Sequence, residues 1–153
     1  MSIKITEEIK SFWDSFIAAN EGLGYLRDTQ IDAWSFGNTP EMANDLVGLV
    51  LEGKKTATCS LLRAYQGYED EIPRVGVYSL ICDGNEKPKC VVFYTDTFIC
   101  RFNEVTEKHA FEEGEGDRSL KYWREAHHKF FSSYGDFKED ERLLCERFEV
   151  VYK

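Results

Sequence analysis

The sequence lacks any hydrophobic run that approaches the length of a transmembrane helix. Its amino terminus also lacks the order of basic and then apolar residues that is typical of a signal peptide. These absences argue against a membrane partner, and we expect a cytoplasmic protein.

Positive charge is scarce. The chain has 19 Lys and Arg against 28 Asp and Glu, which gives a net charge of -9. This balance excludes a uniformly basic nucleic-acid-binding surface, so bulk duplex DNA is expected to bind weakly. A local basic site within an acidic protein remains compatible with the composition.

Cysteine pairs with metal-ligand spacing are missing. The five cysteines are an odd number and several lie within apolar runs, which predicts buried free thiols in a reducing compartment. The three histidines are His109, His127 and His128. His109 is surrounded by glutamates, but without metal-ligand spacing the structural interpretation is favoured and no metal site is predicted.

Hydrophobic residues make up 42% of the chain and aromatic residues 14%, as in a globular protein, and 153 residues fit one domain. Hydrophobic periodicity and end signals predict an α+β fold in which a mixed β-barrel carries helices. The predicted helices are residues 4–20, 40–52 and 118–131, with a short helical turn in 106–116. The predicted strands are a short one in 30–37 and longer ones at 55–61, 75–82, 89–102 and 143–152.

The segment GKKTAT, residues 53–58, joins a predicted helix to a predicted strand. A helix carboxyl end explains Gly53 and Lys54, because glycine terminates helices and cations favour the negative end of the dipole. It does not explain Lys55 beside the hydroxyls of Thr56 and Thr58. A lysine next to a hydroxyl is one way to activate a nucleophile, and two cations in a loop are equally suited to hold a phosphate.

An acidic segment, TEKHAFEEGEGDRSLKYWR, occupies residues 106–124. The structural interpretation is a solvated loop followed by Asp117 as the cap of the next helix. The functional one is that Glu112 or Glu113 pairs with the lysines and supplies acid–base chemistry. On the helix that follows, His127 lies with Trp123 on the apolar stripe, and an exposed Tyr122 could stack a base.

The GKKTAT segment together with EGEGDRSLKYWREAHHKFF, residues 113–131, resembles the ASCH domain family, specifically its longer single-domain bacterial branch. The resemblance covers about residues 30 to 152. It implies a PUA-like barrel: a single domain 1–153, with residues 1–29 as a helical extension and 30–153 as the barrel with its helices.

The family resemblance implies an RNA, nucleoside or nucleotide ligand, and two kinds of hydrolase. In a branch that hydrolyses the acetyl amide of N4-acetylcytidine, the matching residues are Lys55 as base, Thr58 as nucleophile and Glu113 as proton shuttle. In a branch with metal-assisted ribonuclease activity they are Lys55 (or Lys54) and Ser119, with a divalent metal as the one cofactor considered. A non-catalytic RNA-binding or nucleotide-sensing module is the third alternative. The predicted ligand-binding residues are Gly53, Lys54, Thr56, Tyr122 and Arg124.

These assignments predict that Lys55 and Glu113 lie within ion-pair reach, roughly 4 Å, or are bridged by one water. The Thr58 hydroxyl is expected to line the same pocket. Lys55→Ala is then expected to abolish activity with little change in the thermal midpoint. The oligomeric state does not follow from the sequence.

Overall fold

A computed structural model describes residues 3–153. Its α-helices are α1 (Glu7–Ala19), α2 (Pro40–Leu51), α3 (Glu107–Glu113) and α4 (Leu120–Ser132), and its strands are β1 (Ala33–Trp34), β2 (Ala57–Leu61), β3 (Tyr78–Cys82), β4 (Pro88–Arg101) and β5 (Arg142–Tyr152). Within residues 3–153, no helix combines the length and the apolar character needed to cross a membrane.

The five strands form one mixed sheet in the order β1-β3-β4-β5-β2. β1 pairs parallel with β3, whereas β3 pairs antiparallel with β4 and β2 pairs antiparallel with β5. The register of β2 on β5 sets Ala57 opposite Arg147, Thr58 opposite Glu146 and Cys59 opposite Cys145. The predicted α+β class is confirmed.

The described chain divides into two compact units. The first contains the described residues up to Leu51 together with Val77–Phe93 and Glu149–Lys153. Its core packs one face of α1 against apolar side chains of β1, β3 and β4, and Ile9, Trp13 and Phe16 are the main contributions of the helix. The hydroxyl of Thr6 accepts a hydrogen bond from the Ile9 amide, so the predicted cap of α1 is present.

The second unit contains Glu52–Gly76 and Tyr94–Phe148. Its core packs Trp123 and Phe131 of α4 against Phe102, Leu143 and other apolar residues. This unit holds Lys55, Thr58, the whole acidic segment 106–124 and His127, and therefore every side chain of the candidate site.

The predicted elements differ from the observed ones mainly at their ends. The strand predicted from residue 55 begins at Ala57, and the helix predicted from 118 begins at Leu120. The prediction that Asp117 caps α4 is wrong, because Ser119 is the cap: its hydroxyl accepts from the Tyr122 amide. Asp117 instead accepts from the Ser119 amide and supports the turn before the helix. The division of the chain into a helical extension, residues 1–29, and a barrel with its helices, residues 30–153, stays a prediction. Residues 1–2 of the extension lie outside the described residues.

Candidate functional site

Lys55 lies between α2 and β2 and is almost completely buried, with 2% of its surface exposed. Gly53 has a φ of 79°, which glycine adopts without strain and which ends α2. The chain then turns inward, and the Thr56 amide donates to the Glu112 carbonyl at 2.7 Å. These contacts tie the start of β2 to the end of α3, where the acidic partners of Lys55 are found.

Glu113 is the last residue of α3, and its side chain is also buried. The helix ends there because Gly114 takes the left-handed conformation, with φ 75°. A Cβ at residue 114 would overlap the backbone carbonyl of Lys54 and lie 2.9 Å from the backbone nitrogen of Lys55. Gly114 therefore permits the backbone contact that brings Glu113 beside Lys55.

The Lys55 ammonium contacts two carboxylates. Its Nζ lies 3.4 Å from Glu113 Oε1 and 3.1 Å from Glu115 Oε2, and it also donates to the Glu113 carbonyl oxygen at 3.4 Å. The predicted pairing of Lys55 with Glu113 is thus present as a direct contact. Glu115 is a second partner that the sequence reasoning did not name.

The other partners of Glu113 come from two helices. His109 Nε2 and Trp123 Nε1 lie 2.7 Å from Glu113 Oε2, and His127 Nε2 lies 3.3 Å from Oε1. His109 is one turn before Glu113 on α3, and His127 is one turn after Trp123 on α4, with the two rings stacked at 4.2 Å. Glu113 is therefore surrounded by donors, which compensates the burial of its charge.

The contacts of His127 favour a proton on each ring nitrogen. Its Nδ1 lies 2.9 Å from the carbonyl oxygen of Trp123, which only accepts, so Nδ1 donates. Its Nε2 faces the carboxylates of Glu113 at 3.3 Å and Glu115 at 3.9 Å, which also accept. The site is then a neutral quartet of Lys55 and His127 with Glu113 and Glu115.

The pKa shifts follow from this quartet. Burial raises the pKa of Glu113, but His127, Lys55 and the hydrogen bond from His109 outweigh it and hold the pKa well below its usual value. Burial lowers the pKa of Lys55, but Glu115 and Glu113 raise it by a larger amount. The net pKa lies above its usual value, so the ammonium stays charged. His127 shows the same balance: burial lowers its pKa, and Glu113 and Glu115 raise it above the ordinary value.

Two groups of potential metal ligands meet within 4.8 Å, Cys59 with His109 and Glu113, and Glu113 with Glu115 and His127. In both groups Glu113 already accepts from the cations and from Trp123. A dication would have to displace or repel the Lys55 ammonium, and burial raises the pKa of the Cys59 thiol far above its usual value. These residues do not fit a divalent metal.

Two arginines fix the surroundings of the site. Arg118, with a φ of 65°, donates to the carbonyls of Phe111 at 3.0 Å and Lys54 at 3.1 Å, and its guanidinium lies 3.6 Å from the centre of the Phe111 ring. Arg147 of β5 forms ion pairs with Glu112 at 3.0 Å and Asp96 at 2.7 Å. Glu112, the alternative partner proposed for the lysines, is thus paired with Arg147 and not with Lys55.

The two predicted hydroxyl residues, Thr58 and Ser119, lie on β2 and at the start of α4. Successive side chains of a strand alternate between its faces, so Thr58 of β2 points away from the face of Cys59, which neighbours Glu113. The structure gives Thr58 a half-buried position opposite Glu146. Ser119 Oγ accepts from the Tyr122 amide at 3.0 Å as the cap of α4. Their catalytic roles stay predictions.

The predicted ligand-binding residues Gly53, Lys54, Thr56, Tyr122 and Arg124 all belong to the second unit. Lys54 is exposed and pairs with Glu52 at 3.2 Å, and the exposed Thr56 contributes backbone contacts to Glu112 and Phe148. Tyr122 is 40% exposed, and its ring packs on Gly116 so closely that a Cβ there would overlap it. Arg124 donates to the Val105 carbonyl at 3.2 Å.

Sequence reasoning assigned His109 and His127 to the core and overlooked Glu115 and Arg118. A usable signal was present for the histidines. His109 with Glu113, and Trp123 with His127, are each four residues apart on a predicted helix, so each pair shares one helix face. Polar side chains recurring on the buried faces of two helices indicate a buried polar cluster.

The quartet predicts that stability depends on the charge of His127. A histidine whose pKa is raised on folding stabilises the fold fully below its unfolded pKa, about 6.5, and loses that contribution as pH rises through the folded value. The stability advantage of the wild type over His127→Gln should therefore shrink as pH rises from 6 to 9, measured by denaturant unfolding. The exposed His128 offers His128→Gln as the control. An advantage that grows with pH would mean that His127 is neutral in the fold.

The fold and site define a class: an α+β protein with a mixed sheet and a buried lysine–glutamate centre, similar to the PUA-like folds. The model of the ASCH domain family matches residues 32–152, and the chain belongs to that family. The ASCH domain of Lactobacillus crispatus JV V101 has a TM-score of 0.89 and 33% identity, covering 97% of both chains. A protein of Enterococcus faecalis V583 has a TM-score of 0.84 and 35% identity, covering 97% of this chain and 90% of that one.

A hypothetical protein of solved structure is similar in fold alone, with 17% identity, a TM-score of 0.54 and coverage of 77% of this chain and 98% of its own. Among the curated proteins we found no match. The ASCH family is associated with RNA binding, and the predicted PUA-like fold is confirmed.

Proposed function

We propose that this protein is a cytoplasmic RNA-recognising hydrolase that cleaves phosphodiesters at the Lys55–Glu113 centre. The observation that carries the proposal is the burial of this ion pair, in which each side chain is 1% exposed. Burying two charges costs several kcal/mol per ion before they attract each other, and a pair of apolar residues of similar size is often as stable or more stable. An ion pair with shifted pKa values in such a position is a candidate for function.

The charge states favour a phosphodiester. Glu113 and Glu115 keep Lys55 protonated, which suits it to stabilise the negative charge that develops on a phosphorane. Hydrolysis adds a water oxygen to phosphorus, with one proton of that water passing to solvent, and breaks the bond to the leaving ribose oxygen, which takes up a proton. His127 is the group of the quartet suited to donate that proton, and it regains one from solvent.

The amide alternative, hydrolysis of N4-acetylcytidine, shares the Lys55–Glu113 contact. It requires a neutral lysine as base and the Thr58 hydroxyl beside it. The raised pKa of Lys55 and the strand face of Thr58 both weigh against this assignment. The phosphodiester reaction needs neither a neutral lysine nor the Thr58 hydroxyl, which is why we favour it.

The test is product formation by the purified protein from short single-stranded RNA, with N4-acetylcytidine and duplex DNA as separate arms. We expect RNA cleavage, about 100-fold slower for His127→Gln because a proton donor is lost, and unchanged for His128→Gln. Duplex DNA should bind weakly because the chain carries a net charge of -9.

Each other outcome assigns a different function. Release of acetate from N4-acetylcytidine without RNA cleavage would support the amide reaction. RNA binding without any product would make the protein a non-catalytic module. Tight binding of duplex DNA would contradict the local nature of the site.

A further inference from the structure

The members of the quartet differ in their access to solvent. The side chains of Lys55 and Glu113 are each 1% exposed, whereas those of His127 and Glu115 are 11% and 20% exposed. A ligand that enters from solvent therefore meets Glu115 and His127 before it meets Lys55. Glu115 covers the buried lysine from the solvent side.

Glu115 and Glu113 are held very differently. Glu113 lies within a helix and is contacted by Lys55, His109, Trp123 and His127. Glu115 follows the end of α3, and the contacts that the structure gives its carboxylate within residues 3–153 are with Lys55 at 3.1 Å and His127 at 3.9 Å. Its neighbours Gly114 and Gly116 have φ of 75° and 58°, a region that glycine adopts without strain.

The charge balance shows what would follow if Glu115 moved away. With both carboxylates in place, the two cations and two anions sum to zero. Without Glu115, the ammonium of Lys55 and the imidazolium of His127 face one carboxylate, which leaves one positive charge in a site shielded from water. Such a site favours an anion with oxygen acceptors.

We propose that Glu115 is a displaceable internal anion that occupies the phosphate subsite of this protein. A phosphate group of the ligand replaces the Glu115 carboxylate on Lys55 and His127, and the glycine-flanked loop carries Glu115 aside. This inference rests on the proposed function and names the group that the site binds. The phosphate belongs either to an RNA backbone or to a mononucleotide.

The test compares phosphate binding by the wild type and Glu115→Gln, with inorganic phosphate, cytidine monophosphate and a short uncleavable RNA as three probes in isothermal titration calorimetry. Gln keeps the size of the side chain and removes the competing charge. We expect at least tenfold tighter binding of inorganic phosphate, equivalent to about 1.4 kcal/mol. Glu125→Gln removes an exposed charge of α4 and should bind like the wild type.

Two further variants keep the result decisive. The double variant Glu115→Gln with His127→Gln should lose the gain, because one of the two cations is gone. Glu115→Asp withdraws the carboxylate by one methylene and should give a smaller gain, which serves if Glu115→Gln does not fold. A larger gain for the mononucleotide than for the RNA would identify a nucleotide ligand, and the reverse an RNA backbone.

Equal or weaker phosphate binding by a folded Glu115→Gln or Glu115→Asp variant would overturn the inference. This failure is distinct from failure of the proposed function. Tighter phosphate binding without RNA cleavage would leave the subsite standing and reject the hydrolase. RNA cleavage with unchanged phosphate binding would support the hydrolase and reject the phosphate subsite at Glu115.

Discussion

Replacing Lys55 by methionine is expected to lower the free energy of unfolding by about 3–5 kcal/mol, because it leaves the carboxylates of Glu113 and Glu115 with His127 as the one remaining cation of the quartet. Methionine fills most of the volume of the lysine stem, so the loss reports the charge more than a cavity. Lys54→Met is the matched control. Its side chain is 56% exposed, and we expect a change within ~0.5 kcal/mol.

A double-mutant cycle separates the pair from its surroundings. Adding Glu113→Gln to Lys55→Met removes the uncompensated charge, so the double variant should be more stable than the sum of the two single changes predicts. Denaturant unfolding at pH 7 measures all four proteins. Independent, additive effects would show that Lys55 and Glu113 do not depend on each other.

The expected loss of stability differs from the prediction made from the sequence, which was that Lys55→Ala loses activity with little change in the thermal midpoint. A lysine that is 2% exposed and in contact with two carboxylates contributes to folding as well as to chemistry. Loss of stability alone therefore does not make the residue merely structural, and activity must be compared among folded variants such as His127→Gln.

Much of the fold could be predicted because its signals are local. Alternation and branched residues predicted β4 and β5 within one residue of their observed starts, and the Thr39–Pro40 pair predicted the start of α2. Asp117 was misassigned because Asp and Ser are both good caps two residues apart. The helix begins only after Ser119, because Arg118 has a positive φ, which lies outside the helical range. Ser119 is therefore the cap.

The site could be predicted only in part, because its members come from separate segments. Lys55 and Glu113 were paired through family-like motifs, and the structure brings them into contact. Glu115 lies two residues beyond Glu113 and was not separable from it by residue type. His127 fits an apolar stripe as well as a polar cluster, and only the tertiary contact with Glu113 distinguishes the two.

Gly114→Ala should be the most damaging glycine substitution of the second unit. Alanine at a φ of 75° is strained by roughly 1–2 kcal/mol. Its Cβ would in addition overlap the Lys54 carbonyl, which is backbone and cannot rotate away. We expect a total loss of roughly 2–5 kcal/mol in the free energy of unfolding, since a clash in packed structure adds roughly 1–3 kcal/mol to the strain.

Gly67→Ala separates the strain from the clash. Gly67 also has a positive φ, 84°, but apart from its chain neighbours no described residue has an atom within 4 Å of the Cβ that alanine would add. It should therefore lose only the conformational part, roughly 1–2 kcal/mol. Denaturant unfolding of both variants gives the difference directly.

Because relief of the clash moves the end of α3 away from Lys54, RNA cleavage by the folded fraction of Gly114→Ala should also fall, while Gly67→Ala keeps its rate. Equal losses for the two alanines would mean that the approach of Gly114 to Lys54 does not hold Glu113 beside Lys55.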